Sequence, residues 1–236
     1  MSTQTNVDPA EIDKFQAIAS RWWDRDSEFK ALHDNNPLRV DYIERQAGGL
    51  VGKRVLDIGC GGGILAEALS ARGATVTGID MAEKSLQVAR LHLHESGLEV
   101  DYQQSTAESF ADEHAGEFDL VTCLEMLEHV PDPASVIESA VKLLKPDGRL
   151  FLSTINRNPK SFALAIIGAE YLLGLLPRGT HDYRHFIKPS ELAAELRRNA
   201  MHPVDISGVQ YNPLTRHYRL GDDVDVNYLV TAVFDA

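Results

Sequence analysis

Cysteine is scarce in this chain: Cys60 and Cys123 are the only two in 236 residues. Two thiols cannot build a disulfide framework, no disulfide is expected, and the usage suits a reducing, cytoplasmic compartment. Positive charge is short as well, with 23 Lys and Arg against 35 Asp and Glu and a formal charge of −12. Such a chain repels phosphates, so no nucleic-acid partner is expected. The first residues lack a basic stretch followed by an apolar run, so neither a signal peptide nor an anchor is expected there. Disorder is expected over roughly the first six residues, as at most untethered termini. No internal period or low-complexity tract is present, which excludes solenoid and fibrous classes.

What is present divides into a helical preamble over 1–50 and a body over 51–236 that carries an apolar insertion at about 158–182. Asp8-Pro9 reads as an N-cap and first helical position, and Ile12, Phe15, Ile18 and Ala19 follow at helical spacing. Trp22 and Trp23 come next, and two adjacent indoles in water are costly, so they dock the preamble on the body or edge a pocket. In the body, short apolar runs at 54–58, 74–79, 99–103, 118–123 and 149–155 alternate with helical periodicity near 63–72, 82–95 and 133–144. Strand–helix alternation implies a parallel sheet covered on both faces, with its ligand beyond the carboxyl ends of the strands. A helix over 189–199 and two strands near 203–211 and 224–234, joined by a polar loop, complete the pattern. The expectation is an α/β, Rossmann-like fold of seven mostly parallel strands, helices on both faces, closed by a C-terminal antiparallel hairpin.

Val55-Leu56-Asp57-Ile58-Gly59-Cys60-Gly61-Gly62-Gly63 runs from a strand through glycines into a helix. Glycines let the backbone turn sharply and admit a ligand where a Cβ would collide. The dinucleotide fingerprint requires glycine at 64, where this chain has Ile64, and a pyrophosphate beside Asp57 would be repelled. Both features disfavour a nicotinamide oxidoreductase. A ligand with a cationic amino-acid end suits Asp57, and Asp80, ending the second strand, can accept both hydroxyls of a ribose. Acid, glycines and second acid together point to S-adenosylmethionine. The loop resembles motif I of the class I S-adenosylmethionine-dependent methyltransferases, and Asp80 their ribose acid. Leu124, ending the fourth strand, would then lie under the bound cofactor. Thr106-Ala107-Glu108 falls where that superfamily contacts adenine, although by itself it reads as a helix cap.

Glu125 to Pro133 follows the fourth strand, beside the expected reacting position. Were it one helical turn, Glu125, Glu128 and His129 would share a face at i, i+3 and i+4. Three readings stay open there. His129, with Glu125 beside it, could act as a general base or orient substrate, since a phenol of pKa about 10 must lose its proton as it attacks. The three side chains could instead hold a divalent cation such as Mg2+, or the segment could be structural.

Residues 161–177 present an unusually wide apolar face, with only Glu170 charged. As a helix they would span about 25 Å, short of the roughly 30 Å of a bilayer core. Between Arg157 and Lys188 five basic residues meet two acids, a local +3 in a chain that is otherwise −15. Peripheral contact with the inner face of a membrane, or a lid over a greasy pocket, are equal readings, and both imply a lipophilic substrate.

Trp22-Trp23-Asp24, Glu28 to His33, Asn36-Pro37-Leu38-Arg39, the glycine loop, Glu125 to Pro133, Asn156-Arg157-Asn158, Gly179 to Asp182 and Val224 to Tyr228 together resemble the ubiquinone biosynthesis O-methyltransferase family, over nearly the whole chain from about Asn6. The resemblance implies methylation of phenolic hydroxyls on a polyprenylated phenol or quinol, with the cofactor held by residues matching Arg39, Gly59, Asp80 and Leu124, beside Asp57 and Gly61 of the loop. It also implies magnesium at Glu125, Glu128 and His129 in some members, and a possible biosynthetic complex. Rival readings are a methyltransferase for another amphiphile, including a carbon-methylating quinone enzyme, and a non-catalytic S-adenosylmethionine-binding module.

Overall fold

In a computed structural model, residues 6–164, 182–212, 215 and 217–235 are described. Residues 165–177 of the apolar stretch therefore lie outside the described residues, as do Met1 to Thr5. Asn6 is placed, however, by three hydrogen bonds to Glu108 and Asp132, so the expected disorder does not extend to it.

Helix α1 (Pro9–Ile18) begins where Asp8 accepts the Ala10 N–H at 2.9 Å, with Pro9 supplying a preset φ and no surplus donor. Helix α2 (Lys30–Ala47) ends at Gly48, whose φ of 71° lets the chain turn back while Gly48 and Gly49 N–H groups take the last carbonyls. Strand and helix then alternate: β1 (Arg54–Ile58), α3 (Ile64–Ala71), β2 (Thr75–Asp80), α4 (Glu83–Ser96), β3 (Val100–Gln104), α5 (Ala107–His114), β4 (Phe118–Leu124), α6 (Pro133–Leu143) and β5 (Leu144–Ile155). A single turn, α7 (Pro159–Ser161), precedes the undescribed stretch, and α8 (Pro189–Arg198) leads into β6 (Met201–Asn212), β7 (His217–Gly221) and β8 (Asn227–Phe234).

The sheet has eight strands in the order β3-β2-β1-β4-β5-β8-β6-β7, parallel from β3 to β5 and antiparallel beyond. Seven strands were expected. The eighth, β7, lies in what reads as a polar loop and pairs only with β6, from Gly208 against Gly221 to Asn212 against His217. Pairing of β5 with β4 is interrupted by a bulge: Leu144 lies opposite Phe118, and regular register resumes with Arg149 opposite Leu120.

Alternation along the strands sorts side chains to two faces. Val55, Leu120, Phe151 and Leu229 pack under α2, α3 and α4, while Leu56, Val121, Leu150 and Val230 pack under α5, α6 and α8. Burial on both faces is why the central strands read as continuous apolar runs. With right-handed parallel connections, the loops after β1, β2 and β4 gather at one end of the sheet.

Candidate active site

At that end opens a cavity of about 1230 Å³, lined by the β1, β2 and β4 termini, the preamble and the β6–β7 edge. That exceeds the usual range of roughly 300–1,000 Å³ for one small ligand, leaving space for a cofactor and a second molecule. Asp57 is buried at the β1 end, and the Thr122 hydroxyl donates to its Oδ1 at 2.7 Å. Burial raises its pKa to about 7, with the Asp80 charge adding to the rise and Thr122 and Arg39 opposing it. Asp80 is held by two backbone donors, Gly61 N–H at 2.9 Å and Ala82 N–H at 2.7 Å. Each carboxylate oxygen keeps a further lone pair, so the grip orients Asp80 without exhausting it.

The glycine loop is packed tightly from above. A Cβ on Gly59, whose φ is 73°, would stand 2.6 Å from Met126 Cγ, and one on Gly61 would stand 2.5 Å from the Trp22 ring. Trp22 stacks on Phe29 and donates to Ser85 Oγ at 3.1 Å; Trp23 donates to the Gly62 carbonyl at 2.9 Å and stacks on His92. Both sequence readings of the Trp pair describe the same contact, since Trp22 docks the preamble and lines the cavity.

Glu125, Glu128 and His129 do not form one helical turn. Glu125 has a φ of 54°, and its N–H donates to Ser153 on β5, so the short 3-10 turn starts only at Leu127. The three side chains consequently go to three different partners. Glu125 meets Arg39 Nη2 at 2.9 Å and accepts from Ser153 Oγ and Asn227 Nδ2. Glu128 is buried against the Thr154 hydroxyl, and burial with the neighbouring Glu125 charge raises its carboxyl pKa to about 7. His129 Nδ1 lies 2.9 Å from Glu11 Oε2 on α1, with Phe15 edge-on to the ring. Burial pushes the His129 pKa down, but the Glu11 bond and the carboxylates of Glu128, Glu11 and Glu125 outweigh it and leave it raised.

The residues from 31 to 200 match the family model described as a methyltransferase domain. The ubiquinone biosynthesis O-methyltransferases of Pseudomonas aeruginosa (strain PAO1) and Azotobacter vinelandii are each 66% identical to this chain, over 96% of it and 97% of their own length. The chain belongs to this methyltransferase family. Among solved structures, magnesium protoporphyrin IX methyltransferase from Synechocystis PCC 6803 is similar with a TM-score of 0.64 at 21% identity, covering 98% of this chain and 90% of that one. At that identity the likeness bears on the fold, which both share.

The methyltransferase is an enzyme whose cofactor is S-adenosylmethionine, and the cavity fits it. Asp57 and Asp80 stand at the strand ends, Leu124 forms part of the wall, and Arg39 is buried with its Nε unpartnered among the described residues. A guanidinium donor left over in that position suits the carboxylate of an amino-acid ligand. Magnesium fits less well. Among the described residues no group of three or more His, Cys, Asp or Glu side chains could hold a metal ion, because Glu125 is taken by Arg39, Glu128 by Thr154 and His129 by Glu11.

Several residues of the site escaped the sequence reading. Glu11 counts as solvent-facing in a helix read only for its apolar stripe, yet it precedes Phe15 by four and Ile18 by seven, and so shares their face. Thr122 is a polar side chain near the end of an otherwise apolar strand, a signal that was legible. Ser153, and Tyr218 on the unforeseen β7, carry no local signature.

Proposed function

We propose that this methyltransferase transfers the methyl of S-adenosylmethionine to phenolic hydroxyls of a polyprenylated ring, 2-polyprenyl-6-hydroxyphenol and 3-demethylubiquinol. The observation that carries the reading is one apolar-walled cavity holding both the acid pair at the strand ends and His129, with volume beyond a single ligand. When bound, S-adenosylmethionine supplies an electrophilic methyl that needs no further activation. The residues of the chain do the rest. Asp57, Asp80 and Arg39 bind and orient the donor; Trp22 and Met126 cover the loop and exclude water; His129 takes the phenolic proton. Orientation and exclusion of water supply much of the rate, because holding both reactants in one cavity removes the entropy of their encounter. General-base assistance adds about 10²–10⁴-fold in typical sites.

Transfer of labelled methyl to a short-chain prenyl catechol tests this. Wild-type protein is expected to label the acceptor oxygen, and His129→Ala to lose at least about 100-fold in kcat while binding S-adenosylhomocysteine normally. Label on ring carbon, or none, removes the reading, and near-wild-type turnover of His129→Ala removes the role of that residue.

Peripheral attachment to the inner face of a membrane belongs to the same proposal and rests on the apolar sequence 161–177, as does assembly with other enzymes handling the same greasy substrate. Among the described residues no helix is long and apolar enough to cross a membrane.

A further inference from the structure

We propose that Glu11, on the first helix of the preamble, is the positioning residue for His129, so that the preamble completes the reacting site instead of only covering it. The inference rests on the O-methyl transfer described above. Glu11 Oε2 and His129 Nδ1 are 2.9 Å apart across 118 positions of sequence, and both residues line the cavity. Phe15, one helical turn beyond Glu11, meets the imidazole edge-on with ring centroids 5.2 Å apart and planes at 87°. Two side chains of one helix face therefore set the ring, one by charge and one by shape.

The helix that carries them is itself anchored beside His129. Asn6 Nδ2 donates to Glu108 Oε1 and to the Asp132 carbonyl, both at 2.8 Å, and the Asp132 N–H donates back to Asn6 Oδ1 at 2.8 Å. Asp132 is three residues past His129 and caps α6 through the Ala134 and Ser135 N–H groups. The start of α1 and the loop carrying the base are thus held at two points.

Chemically, a carboxylate on Nδ1 keeps the ring proton there, which places the basic lone pair of the neutral ring on Nε2. The phenolic O–H gives its proton to Nε2 as an oxygen lone pair forms the new O–CH3 bond. The S–CH3 bond breaks, its electrons return to sulfur, and the donor leaves as the neutral thioether. Glu11 stabilises the imidazolium so formed, and solvent takes the proton afterwards. The carboxyl of Glu11 is held at a pKa of about 2, chiefly by its hydrogen bond to His129 against the cost of burial, so it remains charged throughout.

The test uses the full chain with Glu11→Gln, Glu11→Asp and His129→Ala, alone and with Glu11→Gln and His129→Ala combined. Glu11→Gln should lower kcat about 10–100-fold, with the KM for S-adenosylmethionine within about twofold, and Glu11→Asp should recover part of the loss. In the His129→Ala background Glu11→Gln should cost nothing further, since a residue acting through His129 has nothing left to act on. Ring 15N shifts of His129 give a reading independent of turnover: the neutral ring should carry its proton on Nδ1 in wild type and a mixture of tautomers in Glu11→Gln. Unchanged kcat and unchanged ring shifts in Glu11→Gln, or an equal loss with and without His129, would overturn the inference. Should wild-type protein label no phenolic oxygen, the proposed function falls, and the ring shifts alone then decide whether Glu11 sets the tautomer.

Discussion

Asp57 shows how one side chain couples cofactor binding to pH. Its carboxyl is pushed to about 7 by burial, from an ordinary value of 3.8, so the empty folded protein holds a proton there that a solvated aspartate would have released. A ligand ammonium placed beside it favours the charged form and expels that proton. The sign follows: affinity rises with pH while Asp57 is still protonated, and levels off above about pH 7. S-adenosylhomocysteine is the useful probe, because it retains the amino-acid end but has no sulfonium to perturb His129. Calorimetry between pH 5 and 7 should show binding tightening by up to about tenfold per unit, the limit for one released proton, with the slope lost in Asp57→Asn. A flat profile in wild type would mean that the ammonium does not reach Asp57.

The elements of the body were largely legible because parallel strands buried on both faces leave unbroken apolar runs, and each helix between them keeps its 3.6-residue stripe. Two elements were not. β7 offers only Tyr218 and Leu220 as apolar residues and takes strand form because the edge of β6 is there to pair with it, a long-range cause that no local pattern records. Glu125 lies at i−3 and i−4 to Glu128 and His129 as in a helix, but its N–H is claimed by Ser153, and a left-handed φ sends the side chain elsewhere. Of the site, the strand-end acids and glycines were readable because their chemistry is local to one loop. The Glu11–His129 pair joins segments over a hundred residues apart and was not. How tightly the preamble is docked can be measured at Gly62. A Cβ there would come within 2.4 Å of Trp22 Cγ and 2.6 Å of Trp22 Cβ, atoms close to the backbone that cannot swing aside. Gly62→Ala should therefore displace Trp22, break its bond to Ser85 and cost about 1–3 kcal/mol in urea unfolding. Tryptophan fluorescence should shift to the red and proteolysis should speed up within residues 1–29. Unaltered emission and stability would show that the preamble packs more loosely than these contacts require.

At the scale of the whole molecule, the net charge that speaks against a nucleic-acid partner also bears on the membrane. Counted along the chain, the flanks of the apolar stretch are at +3 against −15 elsewhere, and each unpaired cation near an anionic lipid surface is worth about 1 kcal/mol. Counted in space, much of that excess is already matched. Lys160 lies 2.7 Å from Asp223 and 3.1 Å from Asp225, and Arg157 pairs with Glu191. The acids at 191, 223 and 225 come from outside the 157–188 window, so sequence counting overstates the positive field. The proposed attachment to lipid would then come mainly from apolar burial, which salt does not screen. Co-sedimentation with vesicles should accordingly fall sharply when residues 161–177 are deleted, yet change little between about 50 and 500 mM salt or when neutral lipid replaces much of the anionic lipid. A steep loss of pelleting with salt would assign attachment to the flanking cations, and equal, negligible pelleting with and without 161–177 would leave the apolar stretch as a cover over the substrate.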